Sequence, residues 1–177
     1  VTLAMPTIRH ATPRDARELA HLGERTFRDA FGPMNTPENM DHHTRERYGE
    51  AIQAREIADP GLTTLVCEVG GALIGFTQLR WEVAPPCVAA NAPGEIQRLY
   101  VASEWHGQGV AQQLMEAALG LMQARRCDVA WLGVWEHNPR AIAFYHKYGF
   151  AEVGELPFSL GDDDQRNLVM ARPLVMI

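Results

Sequence analysis

Residues 138–150, Asn-Pro-Arg-Ala-Ile-Ala-Phe-Tyr-His-Lys-Tyr-Gly-Phe, predict a short helix that is followed by the start of a strand. Asn138 is suited to cap the first turn, Pro139 is tolerated at the first helical position, and Gly149 can take the left-handed conformation that ends many helices. The apolar stripe of this helix consists of Ala141, Ile142, Phe144 and Tyr145. Because Tyr145 brings a hydroxyl group into that stripe, the helix is a candidate site of chemistry as well as of packing.

A second candidate site lies upstream of this helix. Residues 94–101 alternate as a strand does, residues 106–111 form the glycine-rich segment His-Gly-Gln-Gly-Val-Ala, and residues 108–125 have the apolar spacing of a helix. A strand–loop–helix unit directs backbone N–H groups and the positive end of a helix dipole towards one point, which favours an anion such as a diphosphate. Gly107 and Gly109 lack the Cβ atoms that would hold such a ligand away.

Two other phosphate-binding motifs fit this segment less well. A dinucleotide fingerprint, Gly-x-Gly-x-x-Gly, would need a third glycine where the chain has Gln112. A P-loop needs Gly-Lys-Ser/Thr, a sequence that occurs nowhere in the chain. A nucleotide-binding protein is therefore a remote alternative.

The pattern Asn-x-x-Ala-x-x-Phe-Tyr-x-x-x-Gly-Phe of residues 138–150 resembles the last helix of the Gcn5-related N-acetyltransferases, in which the matching tyrosine faces the sulfur of acetyl-coenzyme A. The glycine-rich segment resembles that family's Arg/Gln-x-x-Gly-x-Gly/Ala loop, although His106 stands at its first position. The resemblance implies acetyl-CoA as the co-substrate and direct transfer of its acetyl group to an amine. The cofactor-binding residues that it implies are Leu99, Tyr100, Val101, His106, Gly107, Gln108, Gly109, Val110, Ala111, Asn138, Tyr145 and Lys147.

Two residues are predicted to carry the chemistry. An alkylammonium group with a pKa near ~10.4 must lose a proton before its nitrogen can attack, so a base is useful. Glu95, on the strand that leads into the glycine-rich segment, is the candidate base, and strand alternation places Gln97 on the same face. Tyr145 is predicted to donate a hydrogen bond or a proton to the departing thiol. The alternatives are a solvated glutamate and a core tyrosine.

The remaining turn and helix signals predict a single domain over residues 1–177. The Gly70-Gly71 pair is a strong hairpin signal. Strands are expected at Thr7–His10, Leu62–Val69, Ala72–Trp81, 94–101, Val129–Trp135, 150–158 and 166–172, and helices from Thr12, from Thr36 to Asp59 with an interruption near Gly49, at 108–125 and at 139–147, with a polar turn at 161–164. This order predicts an α/β fold, a three-layer α-β-α sandwich around a mixed, mostly antiparallel sheet of about seven strands, which is also the fold of the acetyltransferase family.

Several stretches also resemble one subgroup, the bacterial spermidine/spermine N-acetyltransferases. These stretches are residues 26–31, 35–40, 131–136 and 161–170. The narrower resemblance implies a polyamine acceptor, and the residues predicted to contact it are Phe27, Gln97, Trp135 and Glu136. Acids expected near this acceptor site are Asp29, Glu38, Asp41, Glu136 and residues 162–164. Another small amine, a protein N-terminus, and a non-catalytic acyl-CoA-binding module stay open as alternatives.

Composition restricts the partners further. The formal net charge of −6 argues against nucleic acid and gives a mild preference for a cationic substrate. No apolar run approaches the ~18 residues of a membrane span, and no signal-peptide pattern is present, so the expected location is cytoplasmic. Cys67, Cys87 and Cys127 lack a C-x-x-C spacing and are predicted to be reduced thiols, with no metal site. A homodimer and a monomer are both compatible with the sequence.

Overall fold

The computed structural model describes residues 5–175. Its helices are α1 (Ala16–Phe31), α2 (Pro37–Arg47), α3 (Glu50–Ala58), α4 (Val110–Ala124) and α5 (Pro139–Lys147). Its strands are β1 (Thr7–His10), β2 (Leu62–Val69), β3 (Ala72–Trp81), β4 (Pro93–Val101), β5 (Val129–Trp135), β6 (Ala151–Leu160) and β7 (Asp163–Pro173). The predicted domain of residues 1–177 begins and ends outside the described residues, and its being a single domain stays a prediction.

The seven strands form one sheet in the order β1-β2-β3-β4-β5-β7-β6. The β4–β5 pair is parallel, whereas all the other neighbouring pairs are antiparallel. The parallel register covers only Pro93 to Glu95 of β4, although β4 continues to Val101. The two strands therefore separate beyond Glu95, and this separation opens the sheet near its middle.

Helices cover both faces of this sheet. The largest apolar cluster joins α4 and α5 to β3, β4, β5 and β7, and its fully buried members include Met115, Met122 and Leu132. On the opposite face, α1 packs through Leu19 and Leu22 against β2 and β3, and α3 packs beside α1 and β2. The three-layer α/β architecture that the sequence predicts is therefore confirmed.

The ends of α5 follow their local sequence signals. Asn138 Oδ1 accepts a hydrogen bond from the Ala141 N–H at 3.2 Å, so the asparagine caps the helix as predicted. Gly149 has a φ of +82°, the left-handed region in which a side chain is strained. This local agreement fixes the orientation of α5 and with it the position of Tyr145.

The last hairpin differs from its predicted form. Strands were expected at 150–158 and 166–172 with a polar turn at 161–164, but β6 and β7 are longer, and Leu160 pairs with Asp163. The turn consists of Gly161 and Asp162 alone, because a two-residue hairpin turn needs the positive φ that Gly161 supplies, at +61°. The acids of this segment therefore lie at a narrow hairpin tip.

Leu132 tests the energetic role of the shared core. Its side chain is 1% exposed, so Leu132→Ala is expected to lower the free energy of unfolding by about 2–5 kcal/mol, through lost burial and the cavity left behind. Val153→Ala is the control because Val153 is 43% exposed and should cost no more than about 0.5 kcal/mol. Urea unfolding measures both values, and equal losses would contradict this assignment of the core.

Candidate active site

A cavity of about 770 Å³ occupies the space that the separation of β4 and β5 creates. Its wall combines residues of β4, the start of α4, α5, the β6–β7 hairpin and the facing sides of α1 and α2. Glu95, Tyr145 and the glycine-rich segment, which the sequence places far apart, all line this one space. The two predicted chemical sites are therefore parts of a single site.

The glycine-rich end of the cavity is suited to an anion. Gly107 and Gly109 have φ values of +76° and +82°, and no atom lies within 4 Å of the position that a Cβ would take at either glycine. The first backbone hydrogen bond of α4 runs from Gln113 N to Gly109 O at 3.0 Å. The N–H groups of the first turn consequently have no partner inside the helix and carry its positive dipole end.

His106 connects this end of the cavity to α5. Its Nε2 lies 2.8 Å from the Val101 carbonyl oxygen, and its Nδ1 lies 2.9 Å from Nη1 of Arg140. Because a guanidinium group only donates, Nδ1 must accept and Nε2–H must donate to the carbonyl. His106 thus holds Arg140 beside the start of α4, where a second positive group faces the same space as the free N–H groups.

Tyr145 lies in an apolar part of the wall. Its ring packs edge-on against Phe150 and Phe144, and the residue is 9% exposed. Burial raises the pKa of the phenol to about 12, so the hydroxyl group keeps its proton at neutral pH and can act as a donor. This is the protonation state that the predicted role requires.

Glu95 lies at the point where β4 leaves β5, and it is 7% exposed. Its register partner on β3 is Arg80, whose Nε donates to Glu95 Oε2 at 2.6 Å. Burial raises the pKa of Glu95, while the charge and the hydrogen bond of Arg80 act in the opposite direction. The carboxylate is therefore neither a solvated surface group nor an isolated buried charge.

A β-bulge follows Glu95 and overturns the alternation argument for Gln97. Leu79 pairs with Ile96 and Gln78 pairs with Arg98, so Gln97 is the extra residue of β4. Gln97 still lines the cavity, but Arg98 takes the position opposite Gln78. There the Arg98 guanidinium donates to Glu56 at 2.8 and 3.3 Å, an ion pair that no sequence pattern indicated.

The end of the cavity furthest from the start of α4 has aromatic walls. Phe27 stacks on His43 with 4.3 Å between ring centroids, and Phe31 lies 4.9 Å from Trp135. Burial, aided by the charges of Arg47 and Arg98, lowers the pKa of His43 to about 4. The imidazole is consequently uncharged at neutral pH and acts as one more flat, apolar wall.

Most of the predicted site residues line the cavity. They are Phe27, Glu95, Gln97, Leu99, Tyr100, Val101, His106, Gly107, Gly109, Val110, Ala111, Trp135, Asn138 and Tyr145. Three others lie outside its lining: Glu136 bonds to Arg166 at 2.8 Å, Gln108 donates to the Glu104 carbonyl oxygen at 3.0 Å, and Lys147 is exposed. Glu136 and Gln108 are held by these partners, and for this reason their side chains do not line the cavity.

The lining also contains four arginines that were not predicted as site residues: Arg47, Arg80, Arg98 and Arg140. A basic residue in the first turn of a capped helix could have indicated Arg140. The others depend on strand register and helix packing, which a single sequence does not give.

Across residues 5–175 the structure has no cluster of His, Cys, Asp and Glu that could hold a metal ion, and no helix of sufficient length and apolarity to span a membrane. Cys67 and Cys127 are buried free cysteines, and Cys87 is an exposed one.

The structure thus arranges an anion-binding helix start and a buried, protonated tyrosine around one opening of the sheet, which is suited to a group-transfer enzyme. Residues 25–150 match the Acetyltransferase (GNAT) family, and the chain belongs to this family of N-acetyltransferases. An uncharacterised N-acetyltransferase of Lactobacillus delbrueckii subsp. lactis, named for the pepI 3′ region, is 33% identical over 92% of this chain and 94% of its own length.

Two other relatives differ in how much of the chain they match. The spermine/spermidine N(1)-acetyltransferase of Bacillus subtilis is 27% identical over 92 residues, which are 50% of this chain and 59% of that protein. The crystal structure of the PaiA N-acetyltransferase from Thermoplasma acidophilum, in complex with coenzyme A, covers 96% of this chain and 99% of its own with a TM-score of 0.78. The sequence identity is 20%, so this likeness shows a shared fold and no more.

Tyr145→Phe tests the tyrosine as a proton donor. Turnover is expected to fall about 10²-fold with little change in coenzyme A affinity, because only the hydroxyl group is removed. Tyr148→Phe is the matched control, since Tyr148 belongs to the same apolar cluster but does not line the cavity. Steady-state kinetics and coenzyme A titration measure the two effects, and an equal loss of binding would assign Tyr145 to the scaffold.

Arg80→Met tests the environment of Glu95. A carboxylate base is lost as the pH falls through its pKa, and removal of Arg80 removes the group that lowers this pKa. The acidic limb of the kcat/KM profile should therefore move to higher pH in Arg80→Met, return towards its original position in Arg80→Lys, and disappear in Glu95→Gln. Arg17→Met is the control because its ion pair with Glu50 lies on the surface. An acidic limb that stays in place would show that another group is titrating.

Proposed function

We propose that this protein transfers the acetyl group of acetyl-CoA directly to a primary amine. The observation that carries the proposal is that one cavity contains a protonated buried tyrosine, a buried carboxylate and the unpaired N–H groups at the start of α4. Acyl transfer to an amine needs these three functions: a proton donor for the leaving group, a proton acceptor for the amine, and a holder for the cofactor.

The residues present fit acetyl-CoA, which supplies an activated acyl group as a thioester. Backbone N–H groups of residues 107–112 are suited to its diphosphate, because Gly107 and Gly109 leave open space where a Cβ would stand and the helix dipole lies behind them. Arg140, held by His106, adds a positive charge at the same end. Backbone groups of β4 beyond Glu95 lack a partner strand on the β5 side, so they are available to hold the extended arm of the cofactor, as the family resemblance implies for Leu99 to Val101.

The protein's own groups account for the movement of protons. Glu95 Oε1 accepts the ammonium proton of the acceptor, directly or through a water molecule, while Arg80 occupies Oε2. The Tyr145 hydroxyl donates to the departing sulfur, a thiol whose pKa of about 8.5 requires only modest help. The apolar rings around Tyr145 exclude water, which strengthens this hydrogen bond.

The narrower prediction of a polyamine acceptor has three supports. They are the resemblance of residues 131–136, the formal charge of −6, and the match to the Bacillus subtilis enzyme over half of the chain. The ion pairs of the predicted acids weaken the polyamine prediction, because Asp41 already binds Arg28 and Glu136 already binds Arg166. Of the acids predicted near the acceptor, Asp29 is the one that lines the cavity within residues 5–175.

The proposal is tested by measuring thiol release from acetyl-CoA with spermidine, spermine, shorter diamines, amino acids and peptides, with masses determined for the products. Saturable acetylation of a small amine is the expected result, and a marked preference for spermidine or spermine would establish the polyamine prediction. Turnover on peptide N-termini alone would replace the small amine by a protein acceptor. Tight coenzyme A binding without turnover on any acceptor would contradict the proposal and favour a non-catalytic acyl-CoA-binding module.

A further inference from the structure

The charged groups at the acceptor end of the cavity are mostly cationic. The lining there contains the carboxylates of Asp29 and Glu95 and the guanidinium groups of Arg47, Arg80 and Arg98. The cations thus outnumber the acids in a protein whose formal net charge is −6. A pocket that had to bind a polycation would need the reverse balance, because like charges at close range oppose binding.

Ion pairing leaves Arg47 and part of Arg98 available. Arg80 is committed to Glu95 at 2.6 Å. Arg98 donates to Glu56 through Nη1 and Nη2 only, so its Nε–H has no partner among the described residues. Arg47 makes no ion pair within the described part of the chain, and it is exposed at the cavity rim. Two guanidinium groups with spare donors therefore line the cavity.

The surroundings place these two cations on the same wall. His43 and Arg47 are one helical turn apart on α2 and both line the cavity. Arg98 lies 5.3 Å from the ring centroid of Tyr48, the residue that follows Arg47. Burial is the main cause of the lowered pKa of His43, and the charges of Arg47 and Arg98 both add to it. An uncharged aromatic stack of His43 and Phe27 lies beside them.

We propose that the acceptor amine carries a carboxylate on an apolar body, with the carboxylate bound by Arg47 and the amine directed to Glu95. Guanidinium groups match carboxylates by paired hydrogen bonds, and the aromatic walls suit a short apolar chain between the two ends. Asp29 is the one competing feature, an exposed acid without an ion pair among residues 5–175 that would favour a cationic tail. The inference rests on the proposed amine acetylation and specifies its acceptor.

Three amines of equal chain length separate these possibilities: 5-aminopentanoate, pentylamine and 1,5-diaminopentane, which end in an anionic, a neutral and a cationic group. The kcat/KM for 5-aminopentanoate should exceed that for pentylamine by about tenfold or more, the usual size of a charge-assisted hydrogen bond. Diaminopentane should fall below pentylamine. In Arg47→Gln the advantage of the carboxylate should be lost, whereas Arg45→Gln, which removes an equal charge from the exposed side of α2, should preserve it.

Product binding keeps this test independent of turnover. Calorimetry in the presence of coenzyme A compares 5-acetamidopentanoate with N-acetyl-1,5-diaminopentane, and the first should bind more tightly in the wild-type protein and lose that advantage in Arg47→Gln. A preference for the acetylated diamine that Asp29→Asn removes would overturn the inference. A preference for the carboxylate that Arg47→Gln leaves unchanged would overturn it too. Absence of thiol release with every amine would contradict the proposed function, while the comparison of product affinities would still decide the tail chemistry.

Discussion

The separation of β4 from β5 is the structural constraint on which the site depends. The parallel register ends at Glu95 and Trp131, and beyond it the main-chain groups of β4 on this side have no neighbouring strand. Unpaired main-chain groups in the middle of a sheet are costly unless a ligand, water or side chain meets them. The opening is tolerated because α4 and α5 close one face through a common core with β5 and β7. The same packing directs the start of α4 and Tyr145 into the gap.

Electrostatics of the site cannot be read from the charge of the whole chain. The protein has 22 acidic and 16 basic side chains among Asp, Glu, Lys and Arg, yet its cavity is lined by more guanidinium groups than carboxylates. The difference arises because most acids lie outside the cavity lining, as does Asp41, which pairs with Arg28. Net charge describes the long-range field of a protein, whereas recognition depends on the groups left without partners inside the pocket.

Local signals in the sequence were sufficient for the fold and for half of the site. The Asn138 cap, the positive φ of Gly149 and the hairpin turn at Gly70-Gly71 are decided by nearby residues, and each occurs as predicted. The bulge at Gln97 and the Arg80–Glu95 pair are decided by the register between β3 and β4. A shift of one position moves a side chain to the other face of a sheet, so strand alternation alone could not place Gln97 or identify Arg98.

The environments of Glu95 and Tyr145 explain how two buried groups in one cavity can have opposite tasks. Burial alone would raise both pKa values and so favour the protonated form of both groups. Tyr145 packs against the rings of Phe144 and Phe150, and burial alone raises its pKa, so the phenol keeps its proton. Glu95 has Arg80 beside it, so the cost of an ionised carboxylate is offset and the group is able to accept a proton. The proposed donor and acceptor roles therefore combine the ordinary pKa values of the two groups, about 10 for a phenol and about 4.3 for a glutamate carboxyl, with a cross-strand arginine that opposes the effect of burial on Glu95.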